Sequence, residues 1–215
     1  MLYELFLRSL NADYKSTDEG IDYSAERDGD TLYIFFECSN GKSDWRLNFD
    51  FPAKPYKNMS GSPWYAHGGF VRAFRSVEPY LREHIFDYTL KRIVTSGYSH
   101  GAAVGVLCHE YIWFNRPDLR ATAMGYGFGS PRVIWGLPSA EKAARWERFT
   151  VVRNIDDLVT HLPPAVFGYF HVGKMLEIGK RGKYSQVAAH RPENILTELY
   201  EYENGDNRED SVSKK

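Results

Sequence analysis

Residues 97–101 read Gly97-Tyr98-Ser99-His100-Gly101, a serine with a glycine two positions to either side. The chemistry that suits this spacing is attack by a hydroxyl. A serine can be pushed into the open on a very sharp turn only if the residues two before and two after it carry no side chain, because a Cβ there would collide with neighbouring backbone. A serine hydroxyl is a poor nucleophile at neutral pH. It needs a base to take its proton and donors to hold the oxyanion that its attack creates. A carboxylate must then orient that base and stabilise its charged form.

The carboxylate candidates are Asp156 and Asp157, in Arg153-Asn154-Ile155-Asp156-Asp157-Leu158-Val159-Thr160-His161-Leu162-Pro163-Pro164. An aspartate after a strand is commonly a turn or cap residue, so the type alone does not select either. The downstream histidines are His161, His171 and His190. Chain order narrows the choice, since a nucleophile on a strand–turn–helix elbow is followed first by its acid and then by its base. His190, in Val187-Ala188-Ala189-His190-Arg191-Pro192, follows the last expected strand, where an imidazole can reach over a sheet edge. His171 is the rival.

The elements around these residues must place them together. Arg92-Ile93-Val94-Thr95-Ser96 reads as a strand running into the elbow, and Ala102-Ala103-Val104-Gly105-Val106-Leu107 opens a helix after it. The helix N-terminus favours negative charge beside Ser99. That helix is expected to bury Ala103, Val106, Leu107, Tyr111 and Phe114 on one side and to stop near Asn115-Arg116-Pro117. Asp28-Gly29 marks a tight turn before a continuously apolar strand, Leu32-Tyr33-Ile34-Phe35-Phe36. Residues 50–64, with Pro52, Pro55, Gly61 and Pro63, read as a loop. A helix is expected over 69–88, with Phe70, Phe74, Val77, Leu81, Ile85 and Tyr88 three and four apart and Pro79 kinking or restarting it. Further strands are expected over 121–126, 149–152 and 174–178, and further helices over 140–148 and 192–200. Residues 203–215 read as a disordered tail, leaving one domain over 1–202.

Strands alternating with helices imply an α/β fold, a mostly parallel central sheet with helices on both faces. Active sites of such sheets lie at the carboxyl ends of the strands. Ser99, Ser130 and Asp157 all follow expected strands, so the fold gathers them at one edge.

Composition excludes other classes of function. Lys and Arg number 27 against 28 Asp and Glu, a balance that gives no basic surface for nucleic acid. No apolar run has the length of a membrane span, and the N-terminus, Met1-Leu2-Tyr3-Glu4-Leu5-Phe6-Leu7-Arg8, does not resemble a signal peptide. Cys38 and Cys108 are the two cysteines, and so few point to reduced thiols and a cytoplasmic location. His109-Glu110 lacks a second histidine one helical turn on and is not a zinc motif. Gly125-x-Gly127-x-Gly129 is followed by no helix signal at the required spacing and reads as strand-end geometry, not a phosphate cradle. No cofactor and no metal are expected.

Six segments in order carry a family resemblance. They are Phe36-Glu37-Cys38-Ser39 with Asp44-Trp45 and Asn48; His67-Gly68-Gly69-Phe70; Gly97-Tyr98-Ser99-His100-Gly101; Phe128-Gly129-Ser130-Pro131-Arg132-Val133; Asp157-Leu158-Val159-Thr160-His161-Leu162-Pro163-Pro164; and Gly168-Tyr169-Phe170-His171-Val172-Gly173. Together they resemble the class 3 lipases, the fungal triacylglycerol lipase type within the α/β-hydrolase fold. The resemblance implies Ser99 as nucleophile, Asp157 as acid and His190 as base, with His171 structural. It implies an oxyanion hole from the backbone N–H of His100 and from Ser39. The substrate class it implies is a small-molecule ester or a lipid.

The chain departs from that pattern at Tyr98, where the family usually has His, at His100, where it has an aliphatic residue, and at Cys38, where it has glycine. The segment after Ser39, Asn40 to Phe49, is polar and lacks the amphipathic stripe of the family's lid, so esterase-like behaviour with a short or absent lid is expected. The competing readings are a catalytically silent hydrolase scaffold used for binding, and the same three residues acting on an amide or thioester or in acyl transfer.

Overall fold

The computed structural model describes residues 1–17, 21–38, 53–57, 63–137 and 143–205. Along the chain these form α1 (Leu2–Leu10), β1 (Lys15–Ser16), β2 (Ile21–Asp28), β3 (Thr31–Cys38), β4 (Ala53–Lys57), β5 (Pro63–His67), α2 (Gly68–Ile85), β6 (Arg92–Tyr98), α3 (His100–Asn115), β7 (Met124–Phe128), β8 (Ile134–Trp135), β9 (Phe149–Asn154), β10 (Tyr169–Phe170), β11 (Lys174–Ile178) and α4 (Pro192–Asn204).

Among the described residues the main sheet has seven strands in the order β1-β2-β3-β6-β7-β9-β11. The five from β3 to β11 are mutually parallel, and β1 and β2 add antiparallel at one edge. This is the mostly parallel α/β sheet that the alternating elements predict. The β2–β3 hairpin turns at Gly29, whose φ of 61° favours a residue without a Cβ.

Side-chain alternation along the strands feeds two cores. On one face Phe149 and Val151 of β9 join Phe36, Ile93, Phe74 and Leu107, under α2 and α3. On the other, Val152 of β9 and Phe128 of β7 pack with Phe6 of α1 and Ile195 and Leu199 of α4. Helix α3 is not one-sided as its spacing suggests. Every residue from Gly101 to Ile112 is buried, because the sheet lies under one side of it and α2 packs against another.

Several expectations are corrected. Residues 50–64 are not all loop, since β4 and β5 form an antiparallel pair there. Pro55 is tolerated because β4 is the edge of a second, four-stranded sheet, order β10-β8-β5-β4. Helix α2 runs unbroken through Pro79 and stops at Ile85, leaving Tyr88 exposed. Pro79 faces solvent, where water can satisfy the carbonyl its missing N–H frees. The strand expected over 121–126 lies at Met124–Phe128. Of the helix expected over 140–148, the described residues 143 and 144 are helical, and 145–148 turn through hydrogen bonds to the third residue back that deliver Phe149 into the sheet. Residues 138–142 lie outside the described residues.

The last helix extends past residue 200 to Asn204 and ends at Gly205, a left-handed cap. Residues 203–205 are therefore not tail. Glu203 is tied to α1, accepting from the Leu2 and Tyr3 N–H groups. Residues 206–215 lie outside the described residues. Helix α1 itself was not read from the sequence, although Leu2, Phe6 and Leu10 recur every four residues.

Candidate active site

The elbow is built from β6 into α3. Ser99 has φ 54° and ψ −120°, the one non-glycine residue with positive φ among the described residues. Its N–H donates to Phe128 O at 2.9 Å, and its carbonyl accepts from Ala102 and Ala103. A Cβ at Gly97 would overlap the Gly101 backbone, and one at Gly101 would overlap the Phe36 carbonyl of β3. The two glycines are required by close approach, the reason their spacing suggested.

Three of the candidate side chains meet. His190 Nε2 lies 2.8 Å from Ser99 Oγ, and His190 Nδ1 lies 2.8 Å from Asp157 Oδ2. With Nδ1–H donating to the carboxylate, Nε2 is left to accept the serine proton. Asp157 follows β9 and is fully buried. Its Oδ1 accepts from the Val159 N–H at 2.9 Å, and its carbonyl accepts from Thr160 Oγ1 at 2.8 Å. These bonds close the turn that aims Oδ2 at the imidazole. His190 ends a one-turn 3-10 helix, Ala188–His190, just before α4.

The rival residues go elsewhere. Asp156 Oδ2 accepts from the Gly182 N–H at 2.6 Å, away from His190. His171 Nε2 meets Thr160 O at 2.7 Å, and burial pushes its imidazole down to about 4, so it stays neutral and braces the acid loop. His161 is exposed and offers its carbonyl to Arg132. Ser130 is buried beside Gly127, with its hydroxyl turned to the Pro131 carbonyl. It sits at the same sheet edge without joining the three.

The donors for an oxyanion are partly in view. His100 is the first residue of α3, where N–H groups have no partner within the helix. Its imidazole packs against Phe70 with ring centroids 5.3 Å apart, and burial pushes it down to about 4. A neutral ring adds no competing cation beside the hydroxyl. Ser39 and the segment 40–49 lie outside the described residues. Cys38 closes β3.

The contacts of two positions were not legible in the sequence. Gly129 has φ 59°, and a Cβ on it would stand 2.9 Å from His190 Cε1 and Nδ1 and 3.1 Å from Asp157 Oδ2. Its signal was present in Phe128-Gly129-Ser130-Pro131, but nothing in one dimension says that the missing side chain makes room for an imidazole 61 residues on. Tyr98 is the other, treated below. Among the described residues no group of three or more His, Cys, Asp or Glu side chains could hold a metal ion. No helix among them is long and apolar enough to cross a membrane.

Known proteins share sequence and fold with this chain. The family model described as Lipase (class 3) matches residues 33–167. A lipase of Rhizomucor miehei is 28% identical over 151 residues, covering 67% of this chain and 40% of that protein. The secreted mono- and diacylglycerol lipase 1 of Fusarium solani is 31% identical over 137 residues, covering 60% and 38%. The chain thus spans about 40% of the length of the curated relatives it matches. Among solved structures, a Rhizomucor miehei triacylglyceride lipase superposes with a TM-score of 0.63 at 27% identity, covering 78% of this chain and 66% of that one. A solved triacylglycerol lipase whose catalytic centre is described as a serine protease triad superposes at 0.62 with 26% identity, covering 78% and 66%.

Proposed function

The chain belongs to the class 3 lipase family, and from that membership we propose that it hydrolyses carboxylic esters of acyl lipids through an acyl-enzyme on Ser99. The observation that carries the reading is the unbroken relay from Ser99 Oγ through His190 to Asp157, with both links at 2.8 Å.

In this mechanism Ser99 Oγ attacks the acyl carbonyl carbon while His190 Nε2 takes its proton. The carbonyl oxygen becomes an oxyanion, held by the His100 N–H and the positive end of α3. Ser39 supplies the second donor in the family pattern and is retained in the proposal. The tetrahedral centre collapses, the bond to the alcohol oxygen breaks, and His190 returns the proton to that oxygen. Water then attacks the acyl-enzyme with His190 again as base, which releases the acid and restores Ser99. Asp157 holds the imidazole in the useful tautomer and offsets the charge it gains at each transfer.

The proposal keeps a single catalytic domain over residues 1–202, its last helix continuing to Asn204, and esterase-like behaviour without strong activation at lipid interfaces. It also includes a reducing, cytoplasmic location, supported by two cysteines in 215 residues and by Cys108 as a free, buried thiol. Alkylation of both thiols without prior reduction checks the redox state, and a disulfide would overturn it.

The test of function is hydrolysis of p-nitrophenyl esters from acetyl to palmitoyl. Activity is expected in the wild type and is expected to vanish in Ser99→Ala and His190→Ala. Rates that rise smoothly with monomeric substrate, with no jump on emulsification, are expected for esterase-like behaviour. A wild type inert on every ester would overturn the ester reading.

A further inference from the structure

We propose that Tyr98, the residue before the nucleophile, is a positioning residue that holds His190 by both its ring and its main chain; the proposal rests on the Ser99–His190–Asp157 reading above. Tyr98 and His190 are 92 positions apart, yet their rings stack with centroids 5.0 Å apart and planes 25° from parallel. The Tyr98 hydroxyl also donates to the His190 carbonyl at 2.7 Å. One side chain on a central strand therefore grips both ends of the histidine.

The relay leaves a degree of freedom that this contact removes. Hydrogen bonds at Nδ1 and Nε2 both lie in the imidazole plane, so together they still allow the ring to tilt about the line joining the two nitrogens. A flat aromatic plate against one face stops that tilt. His190 needs such an anchor because it sits at the end of a single 3-10 turn between β11 and α4, and connecting segments are the more mobile parts of a fold. Tyr98 ends β6, which is paired on both sides, by β3 and β7.

The plate is itself backed. Phe6 of α1 lies 6.0 Å from the Tyr98 ring and stacks on Phe128 at 4.3 Å. Helix α1 precedes the segment matched by the family model, so the brace behind His190 comes from chain outside it. The same π face suits the imidazolium that forms at each proton transfer, since a cation is attracted to an aromatic ring. Burial, reinforced by the Asp157 carboxylate, pushes the Tyr98 phenol up. It therefore remains a donor throughout the range in which an imidazole titrates.

The experiment measures fluorophosphonate labelling of Ser99 and ester hydrolysis between pH 5 and 9 in the full chain, for the wild type, Tyr98→Phe, Tyr98→Leu and Ser99→Ala. Active-site titration gives the rate per competent serine. Tyr98→Phe keeps the plate and loses one hydrogen bond, for an expected drop of about fivefold. Tyr98→Leu is expected to lose about 10²-fold in labelling rate and in kcat per titrated site, with KM unchanged, as for a catalytic group held about 1 Å out of place. Its acidic limb is expected at lower pH, because the imidazolium has lost its aromatic face. Wild-type rate and pH limb in Tyr98→Leu would overturn the proposal. So would a loss matched by missing titratable sites at an unchanged rate per site. If wild-type Ser99 takes no label, the triad reading falls first and this inference with it.

Discussion

Gly129 and His190 share one small volume, since a Cβ built on Gly129 would stand 2.9 Å from two atoms of the imidazole. The loop after β7 thus forms one wall of the slot in which His190 sits, and the φ of 59° at Gly129 disfavours any other residue there. Gly129→Ala is expected to displace His190 and lower kcat by about 10²-fold. Measuring kcat beside the thermal midpoint separates displacement from unfolding. A wild-type kcat in this variant would contradict the slot.

The two aspartates after β9 differ sharply in position and should differ in effect. Asp157→Asn leaves a group that cannot enforce the Nδ1–H tautomer, and kcat is expected to fall about 10⁴-fold. Asp156→Asn keeps an oxygen able to accept from Gly182 and should leave kcat within about twofold, as expected of a peripheral surface site. Ester hydrolysis by the two variants side by side decides between them, and equal losses would remove Asp157 from its assigned role.

Backbone strain at Ser99 predicts a gain in stability when its side chain is removed. Ser99 holds φ 54° and ψ −120°, a conformation costing a residue with a Cβ about 1–3 kcal/mol. Ser99→Gly relieves that cost and gives back part of it through the freer unfolded chain. A net stabilisation of about 1 kcal/mol is expected, with no hydrolysis. Denaturant unfolding of wild type, Ser99→Ala and Ser99→Gly checks it, and the glycine variant should be the most stable.

Histidines held neutral by desolvation set an acid limit on stability. Burial holds the imidazoles of His100, His109 and His171 down at about 4, whereas unfolding returns each to about 6.5. Between those values the unfolded chain binds protons that the folded chain does not. The stabilisation is therefore complete above about pH 6.5 and is lost as pH falls towards 4. Unfolding near pH 5 should take up about three protons from these groups, read from the slope of unfolding free energy against pH. His171→Asn should lower that uptake by about one, and an unchanged slope would show that His171 is not held neutral.

Much of the fold was legible because local rules agree with it. The glycines flanking Ser99, the apolar run at 32–36, the helix-stopping Pro117 and the strand at 174–178 each follow from short-range sterics or periodicity. The errors fall where distant chain changes the local answer. Pro55 is acceptable because β4 is an edge strand among the described residues, and α3 is buried all round because sheet and α2 both cover it. Glu203 continues the last helix and meets α1 through the Leu2 and Tyr3 N–H groups.

By itself the sequence singled out Ser99 as the candidate nucleophile and read the strand–turn–helix that exposes it, the order in which a candidate acid and base would follow, and the α/β class. Those depend on bond geometry and spacing, which act over a few residues. Residue spacing alone left Asp156 beside Asp157 and His171 beside His190 as alternatives. The geometry separates them by distance, putting Asp157 and His190 in the relay, Asp156 on Gly182 and His171 on the acid loop. Only the tertiary structure disclosed the space that Gly129 leaves and the plate that Tyr98 supplies, because both exist only where β6, β7 and the loop before α4 converge.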